Sequence, residues 1–170
     1  MSTAKLLPDR SPAGNQGQIA APPPSDAAVQ YFREASKHYL QQDYSSAAAL
    51  YQKGPRPKNK QHTLSKDYFR VLVDNLGMSY GIRGRLQQAK LTFEYGLTQD
   101  PEYPMFYYNL ACTYGETKNM PQAIEELRLA YKYKANIVAG ETLPDPLKDD
   151  SFRLFVNDDG FVKAVTDMQK

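Results

Sequence analysis

Apolar and small residues recur along this chain at a lag of 34 positions. Leu76, Gly77, Tyr80, Ala89, Phe93, Gly96 and Pro101 align with Leu110, Ala111, Tyr114, Ala123, Leu127, Ala130 and Ala135. Asn75 and Asn109 stand at the same lag. The short polar breaks Gly84-Arg85 and Lys118-Asn119 read as turns. Pro101 and Pro104 read as the end of one helix and the opening of the next. Two copies result, at about 70–103 and 104–137. A degenerate copy is expected at about 28–61, with Tyr31, Ala35, Ala47, Tyr51 and Gly54 at matching offsets. It departs at Glu34 and His38, and an insertion, residues 62–69, separates it from the next copy.

A lag of 34 with Leu-Gly-x-x-Tyr, then Ala-x-x-x-Phe, then Pro, resembles the tetratricopeptide-repeat family. The resemblance implies an all-α fold: an α-solenoid of about three helix-turn-helix hairpins over residues 28–137, each hairpin an A helix followed by a B helix. Gly77 with Ala89, and Ala111 with Ala123, are expected where the two helices cross, because small side chains let backbones approach. Gly96 and Ala130 are expected to serve the same purpose against the next hairpin. Residues 138–170 read as a cap on the last apolar face. Leu143-Pro144-Asp145-Pro146 breaks the helix. Asp149, Asp150 and Ser151 offer N-caps to a short helix with Phe152 and Phe155, and Asp158 or Asp159 caps a last helix with Phe161, Val162 and Val165. This tail resembles the Asp-Pro…Phe…Phe tails of many bacterial tetratricopeptide proteins.

The resemblance also implies a groove lined by the A helices, where spacings of three, four and seven share one helical face. Its positions are Val29, Phe32, Ser36, Tyr39 and Leu40 in the first copy. They are Val71, Asp74, Met78, Gly81 and Ile82 in the second, and Met105, Tyr108, Cys112, Gly115 and Glu116 in the third. The list is mostly apolar, so something is expected to cover it: a partner peptide, the N-terminal segment, the C-terminal cap or a second copy. Asn75 and Asn109 can each offer donor and acceptor to a peptide backbone, the use many family members make of this position; the alternative is that they only tie adjacent helices together. The candidate peptide-binding residues are therefore Phe32, Tyr39, Asp74, Asn75, Met78, Ile82, Met105, Tyr108, Asn109 and Cys112. The carboxylate clamp of chaperone-binding relatives is not expected. Phe32, Ser36, Met105 and Asn109 stand where it needs other side chains, and Asn75 alone cannot hold two carboxylates.

Composition narrows the alternatives. Twenty-one Lys and Arg against 19 Asp and Glu give +2, too little to grip nucleic acid by charge alone. The basic run Arg56, Lys58, Lys60 and Lys66 reads as a solvated loop, so no specific nucleic-acid partner is expected. Cys112 is the one cysteine, which excludes an internal disulfide. No run approaches the roughly 18 apolar residues of a membrane span. His38 and His62 lack ligands at metal spacing, and no phosphate loop or Gly-x-Ser-x-Gly elbow occurs. Neither an enzyme nor a cofactor is expected. Residues 1–27 hold five prolines and no aromatic residue, a composition that reads as disordered. Met1 to Gly17 has no apolar signal region, which leaves localisation between the cytoplasm and, had a leader been removed, an exported or periplasmic site. The function expected is a protein–protein interaction scaffold; the alternative is a structural module that assembles with itself.

Overall fold

The structure, a computed structural model, describes residues 27–53 and 66–170. The expectations for residues 1–26, and for His62, Arg56, Lys58 and Lys60, lie outside the described residues. Among the described residues the protein is all-α, with seven α-helices and no strand. The helices are α1 (Ala27–Leu40), α2 (Tyr44–Tyr51), α3 (Lys66–Ile82), α4 (Leu86–Gln99), α5 (Pro104–Glu116), α6 (Met120–Lys132) and α7 (Asp159–Met168). Single 3₁₀ turns at Lys134–Asn136, Pro146–Lys148 and Asp150–Phe152 shape the segment between α6 and α7. Helix α1 lies against α2, α3 against α4 and α5 against α6, while α2 meets α3 and α4 meets α5.

The three hairpin turns are built alike. The N–H groups of Asp43, Arg85 and Asn119 donate to the carbonyls of His38, Tyr80 and Tyr114, each at 2.8–2.9 Å, closing the end of the first helix of each pair. The residue just before each donor has a left-handed backbone: Gln42 (φ 62°), Gly84 (φ 70°) and Lys118 (φ 60°). Glycine takes that conformation freely; Gln42 and Lys118 hold it at some cost. Asp43 and Asn119 then cap the second helix by accepting from the N–H groups of Ser46 and Gln122. Pro104 opens α5, where its missing N–H costs nothing.

Two apolar clusters make up the interior. One joins Phe32, Ala47, Tyr51, Val73, Phe93, Phe106 and Leu110 across α1 to α5. The other joins Tyr108, Ala111, Ala123, Leu127, Phe152, Phe161 and Val165 across α5, α6 and the C-terminal segment. Glycines set the close approaches. A Cβ at Gly96 would stand 2.7 Å from the Phe106 ring and 2.9 Å from Val73, so Gly96 faces the next helix pair as expected.

The Phe93 ring of α4 lies against Gly77, the close approach expected where α3 and α4 cross, and Gly81 faces Ala89 at the same crossing. Two expectations need correction. Helix α3 starts at Lys66, so the end of the expected insertion is helical. The reason is local: Tyr68 packs edge-on to Phe32, Phe69 packs on Tyr95 and Phe106, and Lys66 pairs with Asp100 at 3.3 Å. The helix expected to carry Phe152 and Phe155 is one 3₁₀ turn, capped by Asp149, that ends at Phe152. The last helix is capped by Asp158.

Candidate ligand-binding face

Helices α1, α3 and α5 carry all ten candidate residues. Six are buried: Phe32, Asp74, Asn75, Met105, Tyr108 and Asn109. Phe32 lies between Tyr51 and Tyr68, and Met105 belongs to the first core. Tyr39, Met78 and Cys112 are half-buried, and Ile82 is 37% exposed. Regular helical spacing predicts which residues share a face, but neighbouring helices cover much of that face.

The two asparagines hold helices together. Asn75 donates through its amide nitrogen to the Tyr51 hydroxyl at 3.0 Å, and that hydroxyl also lies 3.0 Å from Ser36 Oγ. This links α1, α2 and α3, and burial pushes the Tyr51 phenol above its ordinary pKa. Asn109 donates to Asp74 Oδ1, joining α5 to α3. Ser79 and Thr113 each return a hydroxyl to the carbonyl of the asparagine four residues before it. An alanine at Asn109 would strip the buried Asp74 carboxylate of its amide partner, a loss of about 1–3 kcal/mol in the fold. Asn75 Oδ1 is a buried acceptor with no hydrogen-bond partner among the described residues.

The face of α5 expected to line the groove is covered by residues 149–153 of the same chain. Tyr108 donates to Asp149 Oδ2 at 3.0 Å, and Cys112 Sγ lies 3.9 Å from the same oxygen. Burial raises the Tyr108 phenol far above its ordinary pKa, so it remains a donor. The missing Cβ of Gly115 leaves room for the Ser151 carbonyl, and the Phe152 ring lies beside it. Arg153 reaches Glu116 with both terminal nitrogens, at 2.9 and 3.4 Å. Sequence reasoning named the C-terminal segment as one possible cover without naming these contacts, which join residues 36 to 41 positions apart.

The α1 and α3 portion lies open at one end. Leu40 is 53% exposed and Ile82 37%, with Tyr39 and Met78 half-buried beside the core. Leu40 and Ile82 are the exposed members; Tyr39 packs edge-on to Tyr44, and Tyr39 and Met78 lie against the first core.

Sequence reasoning also missed the buried ion pair of Arg70 and Asp100, at 2.7 Å, with the Arg70 guanidinium 4.4 Å from the centre of the Tyr103 ring. Asp100 stands just before the helix-ending Pro101, where it reads as a turn residue. Among the described residues no group of three or more His, Cys, Asp and Glu could hold a metal ion. No described helix is long and apolar enough to cross a membrane.

Elsewhere, Glu126 on α6 is half-buried. Burial, then the nearby Glu125 and Glu94 carboxylates, push its pKa to about 7. The nearby Lys90 opposes this only in part, being held by Glu94 at 3.4 Å. The folded pKa lies above the unfolded value, so the carboxylate costs nothing below about pH 4.5 and its full amount above about pH 7. Partial exposure screens that cost to about 1 kcal/mol. Glu126→Gln is therefore expected to stabilise the protein by about that amount at pH 8 and to change nothing at pH 4. Guanidinium titrations at both pH values check this, and an equal effect at the two would sink it.

No protein-family model, curated protein or solved structure matches the chain.

Proposed function

We propose that the protein is a tetratricopeptide-type helical-repeat module that holds a segment of another protein against α1 and α3. The three hairpins, with matching turn bonds and left-handed turn residues, support the repeat reading. The binding reading is carried by one observation: among the described residues, Leu40 near the end of α1 and Ile82 at the end of α3 are large apolar side chains left exposed, whereas the matching face of α5 is covered by residues 149–153. Exposed large apolar residues of this kind are where a partner gains most from contact. Asn75 and Asn109 belong to the framework of that surface, since both amides are engaged between helices.

The test is affinity capture from native-source extract, using the wild type and Leu40→Asp/Ile82→Asp. Both positions are exposed, so the double variant is expected to melt within about 2 °C of the wild type. A protein retained by the wild type and lost by the variant is the expected result. Identical capture by both would remove these two residues from the binding site. The second reading, self-assembly, predicts that size shifts with protein concentration and that the double variant abolishes the shift.

A further inference from the structure

We propose that two copies of this chain pair along the edge that carries the hairpin turns, Ile82, Arg83 and Arg85 of each copy meeting Leu154, Asp158 and Asp159 of the other. The pairing goes beyond the binding reading above, gives the self-assembly reading a surface, and leaves α1 and Leu40 outside the contact.

Packing brings the residues concerned to one edge. Helix α3 ends at Ile82 and α5 at Glu116, so the turns after them have the same place in their hairpins. Lys90, just over one turn into α4, holds its ammonium 5.6 Å from the centre of the Tyr114 ring, near the end of α5. The two turns therefore lie side by side. Arg153 bonds Glu116, and Phe152 lies against Gly115, which brings the C-terminal segment to the same edge. Helix α7 then runs along α6 in the same direction. Phe161 in its first turn packs on Phe152 and Phe155, while Gln169 just past its end bonds the Tyr131 hydroxyl near the end of α6. Asp158 and Asp159 thus stand on the edge that the hairpin turns form.

This edge is basic at one end and acidic at the other. Arg83 and Arg85 are exposed, next to Ile82, which is 37% exposed. Asp158 and Asp159 are exposed, with Leu154, 57% exposed, a few residues before them. Among the described residues none of these four charged side chains has an ion pair, and Asp158 accepts only from the Phe161 N–H. Arg85 stands at the start of α4 without capping it. Each end therefore offers two unpaired charges of one sign beside a large apolar side chain, and the two ends have opposite signs. A two-fold rotation sets each end of one copy on the opposite end of the other, so both contacts form at once. Guanidinium groups suit such a pairing because they meet carboxylates in a planar fork. Lys118 lies between the ends and approaches its own counterpart, and its long exposed side chain can stay in water, where salt screens the repulsion. Because the chain carries both halves of the contact, a second copy fits the edge better than an acidic segment of a foreign protein, which would leave the aspartates and Leu154 unmatched.

Sedimentation equilibrium of the full chain tests this between about 5 and 500 μM. The mass is expected to rise with concentration toward two chains and no further. Pairing is expected to weaken about tenfold between about 50 and 500 mM salt. Arg83→Glu/Arg85→Glu and Asp159→Lys are each expected to weaken it about tenfold or more. The side chains at these positions are exposed and bond no other described residue, so both variants are expected to fold, which circular dichroism checks. Mixed in equal amounts, the two variants are expected to recover pairing, because the reversed turn of one meets the reversed aspartate of the other. A monomer at every concentration, or wild-type pairing in either variant, overturns the proposal. A mixture that stays monomeric overturns the match of these two ends, and species larger than two chains overturn the two-fold arrangement. A chain that stays monomeric yet captures a partner lost in Leu40→Asp/Ile82→Asp keeps the binding reading alone. One that pairs and captures nothing keeps the pairing alone.

Discussion

Asp100→Ala is expected to cost about 3–5 kcal/mol of folding free energy, the range for stripping one member from a buried ion pair. The Asp100 carboxylate accepts from Arg70 Nε at 2.7 Å, and both side chains are below 10% exposed. Without it the Arg70 guanidinium remains in the interior. It keeps the Tyr103 ring at 4.4 Å and an exposed carboxylate, Asp67, at 3.6 Å. Neither replaces a desolvated counter-charge, because a ring quadrupole offers about 1–2 kcal/mol and an exposed partner is screened. For a chain of this length the loss corresponds to a fall of about 10 °C in melting temperature. Thermal unfolding followed by circular dichroism reads it directly. The double variant Arg70→Met/Asp100→Leu removes the stranded charge and is expected to recover most of the loss. A fall below about 1 kcal/mol in Asp100→Ala would mean that the pair is solvated in practice.

Phe152→Ala is expected to cost about 3–5 kcal/mol, by lost transfer energy and by the cavity left behind. Phe152 is fully buried, 5.6 Å from the Phe161 ring and 6.2 Å from the Tyr108 ring, measured between centres. It anchors the segment whose polar contacts are Tyr108 to Asp149 and Glu116 to Arg153. Those contacts depend on the anchor, because a solvent-exposed ion pair alone contributes about 0–1 kcal/mol. Denaturant unfolding of the variant gives the cost. Limited proteolysis asks whether cleavage moves to the neighbourhood of residues 149–158. A loss below about 1 kcal/mol with an unchanged cleavage pattern would show that the segment is held by something other than this ring.

Much of the helical framework is legible in the sequence because its signals are local. Gly84, Lys118-Asn119 and Pro104 mark ends that the structure places within a few residues of the expected ones. The Asp158 cap is equally local, since the side chain bonds an N–H three residues on. The candidate face was less legible. A period of three and four residues places Asp74 and Tyr108 on a face without showing what stands opposite. Asp74 meets Asn109 35 positions away, and Tyr108 meets Asp149 41 positions away. The lag of 34 singles out Asn75 and Asn109 as candidate peptide contacts or as ties between helices, and each amide bonds a neighbouring helix. The N-terminal turn of α3 was missed because a proline- and lysine-rich stretch precedes it and conceals that Tyr68 and Phe69 have aromatic partners elsewhere in the fold.

Helix α5 contributes Met105, Phe106 and Leu110 to one apolar cluster and Tyr108 and Ala111 to the other. The two cores therefore share one helix, and their stabilities are coupled through it. Fraying of α1 and α2 leaves α5 packed on α3, α4 and α6, and loosening of residues 149–168 leaves the same three contacts in place. Releasing α5 itself opens both clusters at once, so its backbone amides belong to the last part of the molecule to exchange with solvent, protected by close to the whole folding free energy.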